Sequence, residues 1–348
     1  MMNWTKKLLQ WYGEHKRDFP WRISKDPYQV WLSEIILQQT RVQQGLPYYN
    51  KFICAYPTIK ALTMAQEEEV LKMWQGLGYY SRARNMLATA RWIVDENNGD
   101  FPSTFKDLVC LKGVGDYTAS AIASICFNEP QAVVDGNVYR FLSRCFGIEL
   151  PIDRSSTHKE FKRTAQNLMS GTSPGEFNQA MMEFGALQCT PKSPLCDQCP
   201  FQKECVAFQH GDVMRFPIKE KKRKVTKRYF NYLVFDFPEN KSVMHKRTAK
   251  GIWQNLYQFP LIETHSLVNQ KELLALPDFH PWKTSEYAPP KLINHHPVKH
   301  QLSHQQLYIQ FWKIKASGPA VKAVHYKELR KYPVPIVLAH FIEKHYPD

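Results

Sequence analysis

The sequence predicts two dissimilar domains in one chain: an all-α domain over residues 1–212 and an α+β domain over residues 229–348, joined by a basic segment at 213–228. Three observations carry this reading. Over about the first 210 positions apolar residues recur at helical spacing, with no convincing strand. A run of lysines and arginines then breaks the pattern, and beyond it lie two stretches rich in aromatic and β-branched residues. At 348 residues the chain is also longer than one compact domain usually runs.

The periodicity predicts helices over Lys6–Trp11, Val30–Gln39, Glu67–Gln75, Arg82–Val94, Tyr117–Cys126, Val138–Phe146 and His158–Met169. The segment from Arg215 to Arg228 holds Lys219, Lys221, Lys222, Arg223, Lys224 and Lys227; its self-repulsion disfavours packing and marks a linker. Tyr229–Phe237 and Gln306–Ile314 read as strands.

Composition narrows the function. Hydrophobic residues make up 43% and charged residues 22%, as in ordinary globular proteins, which excludes a disordered or fibrous chain. The 46 Lys and Arg against 32 Asp and Glu give a net charge of +14, which favours a polyanionic partner, nucleic acid or anionic membrane. No stretch approaches the roughly 20 apolar residues of a membrane span, and the N-terminus lacks the apolar core of an export signal. A cytoplasmic, bacterial location and no membrane partner are expected.

Of eight cysteines, four cluster as Cys189-x6-Cys196-x2-Cys199-x5-Cys205, among Pro191, Pro194 and Pro200. Four thiolates on one compact loop suit a metal centre, and the lone C-x-x-C favours an iron–sulfur cluster over zinc, whose sites usually show two such pairs. Cys54, Cys110, Cys126 and Cys145 lie scattered among apolar neighbours and read as buried thiols.

Leu111-Lys112-Gly113-Val114-Gly115-Asp116-Tyr117-Thr118-Ala119 joins two helical patterns through glycines that allow tight turns and close backbone approach. Free amides at the second helix's start could hold a phosphate; a plain helix–helix turn is the simpler reading.

Two carboxylates stand out. Helical spacing in the Val30–Thr40 stretch sets Glu34 beside Val30, Trp31, Leu37 and Gln38, so its carboxyl should be desolvated, its pKa raised, and the group able to give up a proton near neutrality. A hydrogen-bonded structural glutamate is the alternative. Asp135 follows Val133-Val134 and precedes Gly136-Asn137 and a helical pattern; taken alone, Asp135 or Asn137 is a helix N-cap.

Together these motifs resemble the MutY family of adenine DNA glycosylases, within the helix-hairpin-helix glycosylase superfamily. The cysteine spacing resembles the [4Fe-4S] loop of its endonuclease III and MutY branch; residues 111–119 resemble L-P-G-V-G-x-x-T-A, with Lys112 for the usual Pro and an acid at Asp116; V-V-D-G-N-V resembles the superfamily's catalytic aspartate motif; and W-L-S-E-I-I-L-Q-Q-T resembles the MutY segment that carries its glutamate.

The resemblance implies one [4Fe-4S] cluster on Cys189, Cys196, Cys199 and Cys205. It implies that Glu34 protonates the adenine leaving group while Asp135 stabilises the oxocarbenium-like sugar, with a covalent intermediate as one route. Tyr117 and Asn137 become supporting catalytic residues, and Trp21, Arg22 and Gln179 line the adenine pocket. Tyr117 stands where strand-cleaving relatives carry a lysine nucleophile, and a phenol forms no Schiff base, which implies a mainly monofunctional enzyme.

Base extraction needs groups to fill the gap left in the duplex; by resemblance Gln38, Gln39, Thr40, Leu77 and Tyr79 contact or wedge the lesion region, and Gly113 and Gly115 hold backbone phosphate. Lys250–Pro260 resembles the Nudix-like C-terminal domain of MutY, but the pyrophosphate-hydrolase box G-x5-E-x7-R-E-x-x-E-E-x-G is missing, so the domain should bind and not hydrolyse. Lys299–His304 resembles the H-x-F-S-H loop that reads 8-oxoguanine, with Leu302 for Phe and Ser303 as the reader.

The implied partner is double-stranded DNA with adenine mispaired with 8-oxoguanine or guanine, bound by a monomer. The alternatives are an endonuclease III-like glycosylase-lyase on oxidised pyrimidines and a non-catalytic iron–sulfur DNA-binding protein.

Overall fold

A computed structural model describes residues 2–169, 171–220, 225–284, 286–317 and 323–346. The chain divides into two compact units, Met1–Met64 with Asn85–Lys221, and Ala65–Arg84 with Lys222–Asp348. Thus Ala65–Arg84, read from the sequence within the helical domain, groups with the C-terminal unit.

The first unit is helical, and two of its helices matter most. Pro27–Leu37 starts where Asp26 Oδ1 caps Tyr28 N at 2.9 Å, with Pro27 supplying a helix-ready φ. Each residue from Val30 to Ile36 is buried, so this helix is enclosed on all sides. It ends at Leu37, short of the predicted Gln39: Gln39 takes a left-handed φ of 59°, turning Gln38, Gln39 and Thr40 out of the helix.

The second, Pro174–Leu187, escapes the sequence reading. It packs where it lacks side chains: a Cβ on Gly175 would stand 2.8 Å from Ile125 Cα, and one on Gly185 would stand 2.6 Å from Asn137 Cβ. Around it Phe141 and Phe184 meet at 4.3 Å between ring centres, and Leu8, Trp11, Phe161, Phe177 and Phe201 complete an aromatic core.

Asn178 on this helix is fully buried. Its Nδ2 donates to Ser124 Oγ at 2.8 Å and Gln131 O at 2.7 Å, and its Oδ1 accepts from Val133 N at 3.0 Å. Gln166 Oε1 accepts from Ala132 N at 2.9 Å. These amides fix the extended stretch that leads into Asp135.

The basic segment is less free than its charge suggests. Ile218 O accepts from Ile152 N at 3.0 Å and Glu220 pairs with Arg154, so its start is anchored on the first unit. Its last residues, Thr226–Arg228, already belong to a strand. Residues 221–224 of the expected linker lie outside the described residues.

In the second unit Thr226–Asp236 and Gln305–Lys315 pair in parallel at the centre of a sheet in the order Leu261–Thr264, Thr226–Asp236, Gln305–Lys315, Lys291–Leu292, with Val298–Gln301 also on Gln305–Lys315. Alternate residues face opposite sides. Phe311 stacks on Phe341 of the Ile336–His345 helix at 3.8 Å on one side, while Leu233, Phe235, Trp312 and Ile314 pack with Leu273 and Phe279 on the other. Among the described residues, no helix is long and apolar enough to cross a membrane.

Replacing Asn178 by Ala strands the Val133 amide and the Ser124 and Gln131 acceptors in a buried site. A loss of roughly 1–3 kcal/mol is expected, read as a lower midpoint in chemical denaturation.

Candidate active site

Glu34 sits in the middle of the enclosed Pro27–Leu37 helix, 7% exposed. Burial pushes its carboxyl up to about 7; a hydrogen bond from Tyr117 and the charge of Arg22 act against this, and the charge of Asp135 adds to it. The structure therefore brings Glu34, Tyr117, Asp135 and Arg22 within one electrostatic neighbourhood. The Tyr117 phenol is held well above its usual range by burial, then by the charges of Glu34 and Asp135, and its O–H also reaches Met182 Sδ at 3.3 Å.

Asp135 is the N-cap of the Gly136–Phe146 helix. Its Oδ1 accepts from Asn137 N at 2.9 Å and Val138 N at 2.8 Å, and its Oδ2 from Asn137 Nδ2 at 2.8 Å. Burial raises its pKa, opposed by the donors from Val138 and Asn137 and by the Arg140 charge. Burial is opposed by one such hydrogen bond at Glu34 and by three at Asp135, so the charged form is better supported at Asp135.

Asn137 is itself held. Its Oδ1 accepts from Arg140 Nη2 at 2.9 Å, while Arg140 Nε donates to Cys189 O at 2.7 Å and Nη2 also reaches Gly185 O. This path from the first cysteine of the loop to the neighbour of Asp135 was not foreseen from sequence; an arginine five residues after an aspartate carries no signal by itself.

Trp21 is 7% exposed, stacked on Phe19 at 5.0 Å and edge-on to Tyr49 at 4.9 Å. Gln179 accepts from the Tyr12 hydroxyl at 2.8 Å. Arg22 donates to Glu183 at 2.8 Å and to Arg17 O at 2.8 Å. Glu183, which the sequence reading missed, also takes Arg17 Nε at 2.7 Å and Nη2 at 2.9 Å. Burial would raise its pKa, but the hydrogen bonds from Arg17 and Arg22 prevail and hold it at about 2.

At the hairpin, Gly113 has φ 82° and a Cβ there would come 2.9 Å from Asn85 Cβ, so both conformation and space exclude a side chain. Gly115 begins the Asp116–Phe127 helix. Gln38 Nε2 donates to Thr118 Oγ1 at 3.2 Å, tying its turn to the hairpin, and Gln39 is exposed. Asp116 is neutralised locally by Lys162 Nζ at 2.7 Å and lies 3.1 Å from His158 Nε2.

The four loop cysteines line one cavity with Phe141, Phe184, Phe201 and Arg144. Arg144 is 2% exposed; its Nη1 stands 3.4 Å from Cys189 Sγ and donates to Thr190 O at 2.7 Å, and its Nε donates to Val213 O at 2.9 Å. Burial raises the Cys196, Cys199 and Cys205 thiols, Cys199 to about 12, and the charges of neighbouring cysteines add to each. Such a donor set fits a cationic centre, which would relieve that repulsion. The four thiols share this cavity without closing on a single point: among the described residues, no group of three or more His, Cys, Asp or Glu could hold a single metal ion. Of the scattered cysteines, Cys145 is buried and Cys126 half-buried, but Cys54 and Cys110 are exposed, contrary to expectation: Cys54 falls in the last turn of the Val42–Ala55 helix and Cys110 just past the short Phe105–Leu108 helix, both clear of the core.

In the second unit, Leu77, Tyr79 and Ser303 line one cavity of about 720 Å³ with Arg84, Trp253 and His300. Tyr79 and Ser303 are hydrogen-bonded through their hydroxyls. Leu77 is buried, whereas Tyr79 is 48% exposed at φ 49°. Arg82, also missed, holds the turn: it stacks 5.0 Å from the Trp74 ring and 5.8 Å from the Tyr79 ring and donates to Gly78 O at 3.3 Å.

The fold is that of a base-excision DNA glycosylase with an added sheet domain: residues 32–169 match the HhH-GPD superfamily base excision DNA repair protein, and residues 231–344 match a NUDIX domain. A solved thermostable thymine-DNA glycosylase is 29% identical, with a TM-score of 0.56 over 60% of this chain and 96% of that one. Adenine DNA glycosylases of Buchnera aphidicola are similar over more of the sequence. That of subsp. Schizaphis graminum is 35% identical over 75% of each chain, and that of subsp. Baizongia pistaciae 34% identical over 87% of this chain and 83% of its own. The chain belongs to the adenine DNA glycosylase family, MutY, and is a DNA-repair enzyme.

Because the folded pKa of Glu183 lies below its ordinary value of 4.5, its ion pairs stabilise the protein fully above that value, and this stability drains away as pH falls toward 2. Denaturation midpoints measured from pH 6 to 3 should therefore fall, and more steeply than in Glu183→Gln, which lacks the titrating group.

Proposed function

We propose that this enzyme excises adenine opposite 8-oxoguanine, and opposite guanine, by hydrolysis without strand cleavage. The observation that carries the reading is the pairing of a buried Glu34, raised to about 7, with an Asp135 whose two oxygens accept three hydrogen bonds.

Neutral Glu34 gives its proton to N7 of the extrahelical adenine as the bond between N9 and C1′ breaks and its electron pair moves into the departing base. Anionic Asp135 stabilises the positive charge on the sugar, and water completes the abasic product as its proton returns to the Glu34 carboxylate. Tyr117 keeps Glu34 and Asp135 in place; Trp21, Arg22 and Gln179 border the base. Gln38, Gln39 and Thr40 meet the opened duplex, Gly113 and Gly115 present amides to a phosphate, and Leu77, Tyr79 and Ser303 receive the lesion side. Ser303 Oγ can accept from the N7–H that 8-oxoguanine has and guanine lacks.

Cys189, Cys196, Cys199 and Cys205 would hold one [4Fe-4S] cluster, whose chemistry when bound is to cross-link the loop; hydrolysis asks no electron of it. Purified protein is expected to contain four iron and four sulfide per chain, about 4 each by colorimetric assay; stoichiometric zinc in their place would overturn this assignment. We place the enzyme's action on cytoplasmic DNA of a bacterial cell, as a monomer.

Single-turnover release of adenine from duplexes with 8-oxoguanine, guanine or thymine opposite tests the reading, with the first preferred. Glu34→Gln should slow release by about 100- to 10,000-fold; release at wild-type speed would sink the assigned acid. Since Glu34 must be protonated, the rate should fall about tenfold per pH unit above about 7. Ser303→Ala should reduce the preference for 8-oxoguanine over guanine by about fivefold, the worth of one hydrogen bond.

A further inference from the structure

One end of the sheet carries chemistry that excision does not use. Tyr229 and Tyr308 are register partners on the two central strands, and their rings stack at 5.2 Å with an interplanar angle of 18°. Lys299 is the partner of Tyr308 on the next strand, its Nζ 6.0 Å from the ring centre. Because side chains two residues apart share a face, Lys227 and Gln306, also register partners, belong to this side.

Lys227 and Lys299 are exposed and both tyrosines are half-buried. The apolar cover of this face, over Leu233, Phe235, Trp312 and Ile314, lies at the other end of the strands. The nearby carboxylate Glu263 takes the opposite face, where Arg228 binds it at 2.6 and 2.7 Å. Two lysines beside stacked aromatic rings, with the local carboxylate turned away, make a surface complementary to a polyanion with flat sugar edges.

Its position points the same way. Ser303 lies in the turn between Val298–Gln301 and Gln305–Lys315, so the strands that frame it carry Lys299, Gln306 and Tyr308, and Thr226–Asp236, which carries Lys227 and Tyr229, pairs along the second of them. We propose that this end of the sheet is a second DNA-contact surface. Lys227 and Lys299 bind phosphates of the strand entering the lesion site, and the rings of Tyr229 and Tyr308 pack against the deoxyribose between them. The surface rests on the DNA-repair reading; the assignment of the strand rests on Ser303.

The test uses the full-length protein and a fluorescent duplex with 8-oxoguanine opposite a tetrahydrofuran abasic analogue, which binds without turnover, titrated by anisotropy over a range of KCl. Lys227→Ala/Lys299→Ala should bind about tenfold more weakly, and its plot of log affinity against log salt should be shallower by about 2, each phosphate contact contributing about 0.9. Tyr308→Ala should weaken binding while Tyr308→Phe, which keeps the ring, should not. Excision at saturating protein should be unchanged in all three.

Wild-type affinity and salt slope in the double lysine variant would overturn the surface, leaving a protein-facing or purely structural role. Ser303→Ala separates the two ideas. Loss of lesion preference with an unchanged slope is expected; no change in preference would remove the lesion assignment and the strand orientation built on it.

Discussion

The contact between Gly185 and Asn137 is the one on which the site depends. It lets the Pro174–Leu187 helix press against the first turn of the Gly136–Phe146 helix with no side chain between. From that position the same helix supplies Asn178 to the stretch before Asp135, Gln179 to Tyr12, Met182 to Tyr117 and Glu183 to Arg17 and Arg22. A methyl group at residue 185 would push on Asn137, and through its hydrogen bonds on Asp135, before it disturbed any apolar contact.

Three carboxylates in this unit, Glu34 and Glu183 buried and Asp135 half-buried, show how partners act against burial. Glu34, enclosed by an apolar helix, rises to about 7; Glu183, enclosed but met by two guanidinium groups, falls to about 2; Asp135 is raised by burial against the three donors that cap it. Desolvation acts upward on all three, and the number and charge of the donors sets the outcome. The arrangement gives carboxyls of one helical unit unequal surroundings, as the proposed division of roles between Glu34 and Asp135 requires.

The cysteine loop is tied to this interior by two arginines one turn apart. Arg140 joins Cys189 O to Asn137, and Arg144 joins Cys189 Sγ to the backbone of Thr190, Pro191 and Val213. Both arginines are buried, so each hydrogen bond also satisfies a charge that would otherwise be costly to enclose. In the second unit, Arg82 plays a comparable part, holding the turn that puts Tyr79 beside Ser303.

Local pattern was enough for much of this. The spacing of four cysteines, the glycines of the hairpin, the apolar neighbours of Glu34 and the aromatic strands after residue 228 all depend on residues close in sequence, where periodicity and turn chemistry act directly. Family resemblance added the roles proposed for Asp135 and Ser303. What the sequence could not yield are pairings made across long separations: Glu183 with Arg17, Asn178 with Val133, Arg140 with Cys189, and Gly185 with Asn137, between residues 166, 45, 49 and 48 positions apart. The exposure of Cys54 and Cys110, and the grouping of Ala65–Arg84 with the sheet, are of the same kind. A buried polar group can be satisfied by any partner that packing brings within about 3 Å, and only the assembled tertiary structure determines which one that is.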